Sequence, residues 1–151
     1  MLRLSKKLLF ALEAVVDIAH NGGAEPVQSK EITRRQGIPQ RYLEQVMQQL
    51  VHAEILEGVR GPRGGYRLAR ERRKITIGDI ARVVRAMEKT DDPMADPAGS
   101  DLGHKVVRPV WQDIQDELME RLDGITVADL CQRAVEQGIR SEAMTRMDFS
   151  I

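Results

Sequence analysis

Amides and guanidinium groups crowd one short stretch of this chain: Gln40, Arg41, Tyr42, Gln45, Gln48 and Gln49 in QRYLEQVMQQL. Such groups present paired donors and acceptors that match base edges in a major groove, whereas an ordinary solvated helix face is covered in Lys and Glu. A second group is set about the turn sequence GPRGG: Arg60 before it, Arg63 within it and Arg67 after it. A guanidinium near the tip, as at Arg63, suits the narrow, negative interior of a minor groove. Lys6, Lys30, Arg34 and Arg35 read as phosphate contacts, which add affinity and salt dependence without base preference. Plain solvation is the competing reading for Lys6 and Lys7, and an ordinary solvated hairpin is the competing reading for the GPRGG segment.

Other chemistries find little to work with. His20, His52 and His104 have no carboxylate or cysteine at ligand or triad spacing, so no catalytic or metal site is expected. GPRGGY lacks the GK[ST] that a phosphate loop needs. Cys131, the single cysteine, excludes an internal disulfide and any cysteine-ligated zinc or cluster site within one chain. It reads first as a partly buried structural thiol and second as a redox sensor.

The elements that must position these groups follow from spacing. Leu43, Val46, Met47, Leu50 and Val51 recur at i, i+3, i+4, i+7 and i+8, so the amide-rich stretch is one outward face of an amphipathic helix. Gly37 suits the end of the helix before it, and Pro39 suits its first turn. Ile55 and Val59 lead into a hairpin turned at Gly61 to Gly65, and Tyr66 and Leu68 lead out. A helix followed by a basic, glycine-turned hairpin is the sequence pattern of a winged helix-turn-helix. Ser5 is expected to cap a helix through about His20 with Leu8, Leu12, Val15, Val16 and Ala19 inward; Ser29 is expected to cap a shorter one through Gln36 with Ile32 inward. Thr76 and Asp79 form a capping box that opens a fourth, with Ile77, Ile80, Ala81, Val84 and Met87 inward. The run Arg70, Arg72, Arg73 and Lys74 ahead of it is a solvated turn or an extra phosphate contact.

Beyond the polar segment KTDDPMADPAGSDLG a long helix is expected from Val106 or Val107, because Pro109 is tolerated only in a first turn. Its stripe of Val107, Val110, Trp111, Ile114, Leu118 and Leu122 is too exposed for so small a domain unless a partner covers it, most simply the same helix of a second subunit. ITVADL echoes ITIGDI and opens a last helix with Val127, Leu130, Ala134 and Val135 apolar. From Gly138 the pattern fades into a frayed tail or an arm on the other subunit.

At 151 residues with two Phe, two Tyr and one Trp, the core must be aliphatic. The formal net charge is zero, yet residues 1–80 hold 14 Lys and Arg against 9 Asp and Glu, while residues 81–151 hold 9 against 14. A basic amino-terminal part is thus followed by an acidic remainder. No apolar run of about 18 residues and no signal-peptide pattern is present, so a cytoplasmic protein without membrane association is expected.

YLEQ at Tyr42 to Gln45 and VRGPRGGYRL at Val59 to Leu68 closely resemble the Rrf family of bacterial winged-helix regulators, the group of IscR, NsrR and CymR. The likeness extends to LSKKLLFALEAVVDIAHNGG, ITIGDI and VWQDI, roughly residues 1 to 135. It implies a homodimeric transcription regulator. In cluster-bearing members the loop before the long helix carries three cysteines and then a histidine; aligned without gaps, those positions are Pro93, Gly99, Lys105 and Arg108 here, none of which ligates iron. His104 lies next to that register, and Cys131 stands outside the loop. The chain therefore resembles the cluster-free branch, with no cofactor, whose members respond to thiol oxidation, a small molecule or a partner protein. The loop and its cleft against the long helix form the expected effector site.

The expectation is a mainly α fold with a small β wing, a winged helix-turn-helix plus a long dimerisation helix. Residues 1–87 form the DNA-binding domain, 88–104 a flexible loop, 105–137 the dimerisation and terminal helices, and 138–151 a tail. The expected function is sequence-specific binding of a palindromic operator in double-stranded DNA by a homodimer, with repression as the simplest output. The alternative from another class is a winged-helix adaptor that has lost specific DNA binding and docks a partner protein; the basic, amide-rich face favours DNA, and early elution from heparin would favour the adaptor.

Overall fold

Ser5 opens α1 (Lys6–Asn21), its hydroxyl accepting from the Leu8 N–H at 3.2 Å. The computed structural model describes residues 4–88 and 92–149. Residues 1–3 of the expected DNA-binding domain, 89–91 of the expected loop and 150–151 of the expected tail lie outside the described residues. The buried face of α1 is Leu8, Ala11, Ala14, Val15, Ile18 and Ala19, turned from the expected face, so that Leu12 and Val16 stand half exposed at its edge. The small side chains explain the turn: α1 packs against α2, α3, α4 and α6 at once, and alanines let several helices approach one axis.

Helix α2 (Ser29–Gln36) starts one residue earlier than expected. Gln28 is the N-cap and Ser29 the first helical residue, because the Glu31 carboxylate reaches back to accept the Gln28 N–H at 3.0 Å. Gly37 ends the helix at φ 66°, a left-handed conformation that glycine adopts without a Cβ clash. After Pro39 comes α3 (Gln40–His52), with Leu43, Val46, Met47 and Leu50 buried. Strands β1 (Leu56–Val59) and β2 (Gly65–Leu68) pair antiparallel, with Leu56 opposite Leu68 and Val59 opposite Gly65. Val27, between α1 and α2, adds an unforeseen bridge: it exchanges two 2.8 Å backbone hydrogen bonds with Tyr66. A Cβ on Gly65 would stand 2.4 Å from the Val27 carbonyl oxygen, so this close approach requires glycine.

The basic run is a short 3-10 turn, Arg72–Lys74. Thr76 and Asp79 cap α4 (Ile77–Met87) reciprocally at 3.0 Å, and Thr126 and Asp129 cap α6 (Val127–Glu136) at 3.0 and 2.9 Å. The two echoing motifs lie side by side. Ile77 N–H donates to the Ile125 carbonyl at 2.9 Å and Val127 N–H to the Ile75 carbonyl at 2.8 Å. Val127 and Cys131 of α6 belong to the same buried cluster as α1 to α4, a core of aliphatic side chains as expected.

Helical backbone begins at residue 101, earlier than expected, passes through a π-helical turn at Gly103–Val107, and continues as α5 (Arg108–Asp123). The wider turn lets Pro109 sit within a longer helical run, where a regular helix would need the N–H that proline lacks. The C-terminal segment is helical: α7 (Glu142–Phe149) docks on the end of α1 of its own chain, with Asn21 Oδ1 accepting the Glu142 N–H at 3.0 Å.

Candidate nucleic-acid interface

The outward face of α3 carries Gln40, Arg41, Gln45, Gln48 and Gln49, all exposed. Tyr42 is half-buried, its ring centroid 5.9 Å from that of Phe10 on α1. The Arg41 guanidinium stands 5.0 Å from the centre of the same ring, within cation–π range. Tyr42 thus holds Arg41 at the helix N-terminus, the end that normally meets base edges. Gln40 is oriented too: its carbonyl accepts from Thr33 Oγ1 and its amide nitrogen donates to Glu44 Oε1, both at 3.1 Å. Sequence reasoning passed over Thr33 and Glu44. The i, i+4 spacing of Gln40 and Glu44 was the available signal; the Thr33 contact crosses the turn between two helices and had none.

Arg60 and Arg63 extend from the exposed wing turn, closed by the Gly64 N–H on the Gly61 carbonyl at 2.9 Å. Arg67 is less available, being paired across the strands with Glu57. Lys6 stands exposed one helical turn before Phe10, on the side of α1 that meets Tyr42. Lys30 is exposed, and Arg34 is exposed with Glu142 of α7 at 4.0 Å.

Arg35 is the exception among the expected phosphate contacts. Its side chain is 12 % exposed and is turned inward, with Nε donating to Asp17 Oδ2 at 2.9 Å and Nη2 to Oδ1 at 2.7 Å. Gln36 adds a third bond to that carboxylate at 2.8 Å. The hydrogen bonds that Arg35 donates to Asp17 raise its pKa above the ordinary value, against the opposing effect of burial. Arg35 therefore anchors α2 to α1 and is not presented to a phosphate.

The expected dimerisation stripe is exposed along most of its length: Val107, Val110, Trp111, Ile114 and Leu118 retain between 41 and 59 % of their accessible surface. Leu122 differs, being packed against the chain's own core. Cys131 is buried in that same core, and loss of solvation pushes its thiol pKa up, against the nearby Arg72 guanidinium. His20 contacts the Ile139 carbonyl at 2.9 Å, and His104 the Ala98 carbonyl at 3.0 Å.

A family profile described as Rrf2, iron-dependent transcriptional regulator, matches residues 4–133. The chain is 36 % identical over 132 residues to the HTH-type transcriptional regulator IscR of Sodalis glossinidius, covering 85 % of this chain and 78 % of that protein. Among solved structures, T. potens IscR superposes with a TM-score of 0.74 at 36 % identity, covering 95 and 96 % of the two chains. CymR, the global cysteine regulator of B. subtilis, gives 0.70 at 31 % identity, covering 88 and 98 %.

The iron in that family description can be tested against the loop. Arg108 occupies the space between loop and helix: it donates to the Asp96 carbonyl, to the Ala98 carbonyl at 2.9 Å, and lies 3.1 Å from His104 Nδ1. A Cβ at Gly99 would meet Arg108 Nη2 at 3.3 Å. A guanidinium bonded to backbone carbonyls where thiolates and an imidazole would have to converge does not fit an iron–sulfur centre. With the helix, turn, helix and wing in place, and with relatives that match over most of its length, this chain belongs to the Rrf2 family of winged-helix, DNA-binding transcriptional regulators.

Proposed function

We propose that the chain works as a homodimer that reads a palindromic operator in the cytoplasm without an iron–sulfur cluster, and that occupying the operator represses transcription by excluding polymerase. The observation that carries this reading is the exposed stripe Val107, Val110, Trp111, Ile114 and Leu118 on α5. A contiguous apolar stripe of that size is uncommon on a soluble monomer and marks an association surface. An isologous pair of α5 helices buries it and places two recognition helices on successive half-sites.

Within each subunit, residues 1–87 read DNA. Gln40, Arg41 and Gln45 meet base edges, Tyr42 holds Arg41, Arg63 enters the minor groove beside Arg60, and Lys6, Lys30 and Arg34 contact phosphates. Arg35 has no place among the contacts, because its guanidinium is bound to Asp17. Light scattering at micromolar concentration should give twice the 17.0 kDa chain mass, and Ile114→Glu should halve it. A wild-type monomer that still protects a palindrome in a footprint would refute the dimer.

A further inference from the structure

An apolar concavity among the described residues is lined by none of the expected base-contacting residues and by no residue of the loop. It is a trough of about 630 Å³ between α1 and α6. Leu12 and Val16 form one wall, and Leu130 and Ala134 the other. Ile139 lies at one end, where its carbonyl is bonded to His20 across the gap. Closure at that end suits a small molecule better than a continuous peptide helix, and the volume is in the range of ligand pockets.

Two further lining groups indicate what kind of molecule. Glu13 stands on the α1 wall and Arg133 on the α6 wall. Glu13 is half-buried, and Arg133 is exposed, its charge felt by Asp129 one turn earlier on α6, whose own carboxylate is held by Thr126. The other charged pair of the trough, Asp17 with Arg35, is already saturated by mutual bonds and by Gln36. An apolar channel flanked by a carboxylate on one wall and a guanidinium on the other is complementary to a zwitterion with a hydrocarbon side chain. We propose that this trough binds a free amino acid with a large apolar side chain, its ammonium on Glu13, its carboxylate on Arg133 and its side chain along Leu12, Val16, Leu130 and Ala134.

Occupancy there reaches the DNA face by a short route. Arg35 and Gln36 line the trough from the last turn of α2, directly before Gly37 and the recognition helix. A ligand that shifts their hold on Asp17 moves α2 against α1, and so changes operator affinity. Only this regulatory half rests on the operator-binding function proposed above; the binding half is measured without DNA.

Calorimetry of the full chain with L-leucine and L-phenylalanine tests the site, with 4-methylpentanoate and 3-methylbutylamine as analogues that each lack one charge. At least one amino acid should bind, and the analogues should bind about tenfold more weakly or worse, as expected for loss of a charged hydrogen bond. Glu13→Gln and Arg133→Gln should weaken the amino acid about tenfold while leaving ligand-free DNA affinity unchanged. Ala134→Trp should fill the trough and abolish binding with the dimer intact. The site is refuted if neither amino acid binds at millimolar concentration, if the two charge variants bind as well as the wild type, or if Ala134→Trp gives a monomer, which would make the trough part of the subunit interface. Binding that leaves operator affinity unchanged in gel shifts refutes the regulatory half.

Discussion

Arg35→Ala should cost stability and leave the salt dependence of non-specific DNA binding nearly untouched, the reverse of what its place in the run Thr33-Arg34-Arg35 suggests. The substitution leaves Asp17, 1 % exposed, as a buried carboxylate with the Gln36 amide as its remaining donor. Breaking a buried ion pair by removing one partner typically costs about 3–5 kcal/mol. The surviving 2.8 Å bond from Gln36 argues for the lower end, about 3 kcal/mol, a large share of the roughly 5–15 kcal/mol that holds a domain folded. Replacing both partners, Asp17→Leu with Arg35→Met, should recover most of it, since no charge is then stranded. Urea denaturation followed by circular dichroism measures the loss, and the salt dependence of binding to non-specific DNA measures the other half. Arg34→Ala should lower that slope by about one and Arg35→Ala should not change it. A loss under about 1 kcal/mol together with a slope reduced by about one would show that Arg35 faces phosphate after all.

The same interface predicts two classes of contact: Arg41→Ala or Gln45→Ala should cost roughly 1–3 kcal/mol on the operator and relax base preference, whereas Lys6→Ala should weaken operator and scrambled DNA alike; equal behaviour in gel shifts would refute the assignment. The Asp123 pKa lies below its ordinary 3.8 because Arg82 donates to the carboxylate at 2.8 and 2.6 Å, so the stability it adds is fully present above pH 3.8 and is lost as pH falls through the lowered value. Wild type and Asp123→Asn should accordingly differ at pH 7 and converge in strong acid; a gap that persists there would deny the pair this role. Glu54, at φ 60°, holds a left-handed conformation between α3 and β1, and Glu54→Gly should stabilise the fold by up to about 1 kcal/mol; a loss in thermal melts would mean that its side chain contributes more than the backbone costs. Protein purified anaerobically should be colourless and free of stoichiometric iron and sulfide, and a brown product would overturn the cluster-free reading.

The recognition helix and wing were legible because their signals are local. Period 3.6 at Leu43 to Leu50 and the glycines of GPRGG each specify a few consecutive residues, and tertiary packing had only to agree. The misreadings came where a distant partner decided the outcome. Arg35 looks like Arg34 in sequence, but Asp17 sits one helix earlier at a depth that no periodicity encodes. Ser29 looks like a better cap than Gln28, yet Glu31 reaches back across the turn and moves the start. Leu122 continues the spacing of the α5 stripe, but the helix end approaches the body, which partly covers it. The π-helical turn ahead of Pro109 was hidden because proline position was read as a helix start, when an extra residue in the turn also accommodates it. For α7 the apolar pattern is weak, and its anchor, Asn21, lies at the far end of the chain.

The paired capping boxes make α5, the proposed dimer helix, a handle. The chain leaves the body at the end of α4 and returns at Thr126, beside the residue where α4 began. Between these points, the far end of the handle is braced by Arg108 and the near end by Arg82 on Asp123. A second subunit that twisted the exposed portion of α5 would apply its torque where α5 meets the body, at the two backbone bonds joining Ile77 to Ile125 and Val127 to Ile75 and at the Arg82–Asp123 pair. The first turns of α4 and α6 are bolted to each other by those backbone bonds and both helices rest on α1. In the proposed dimer, rotation of the handle would tilt the winged body as one lever, and the spacing between two recognition helices would read out the handle's angle.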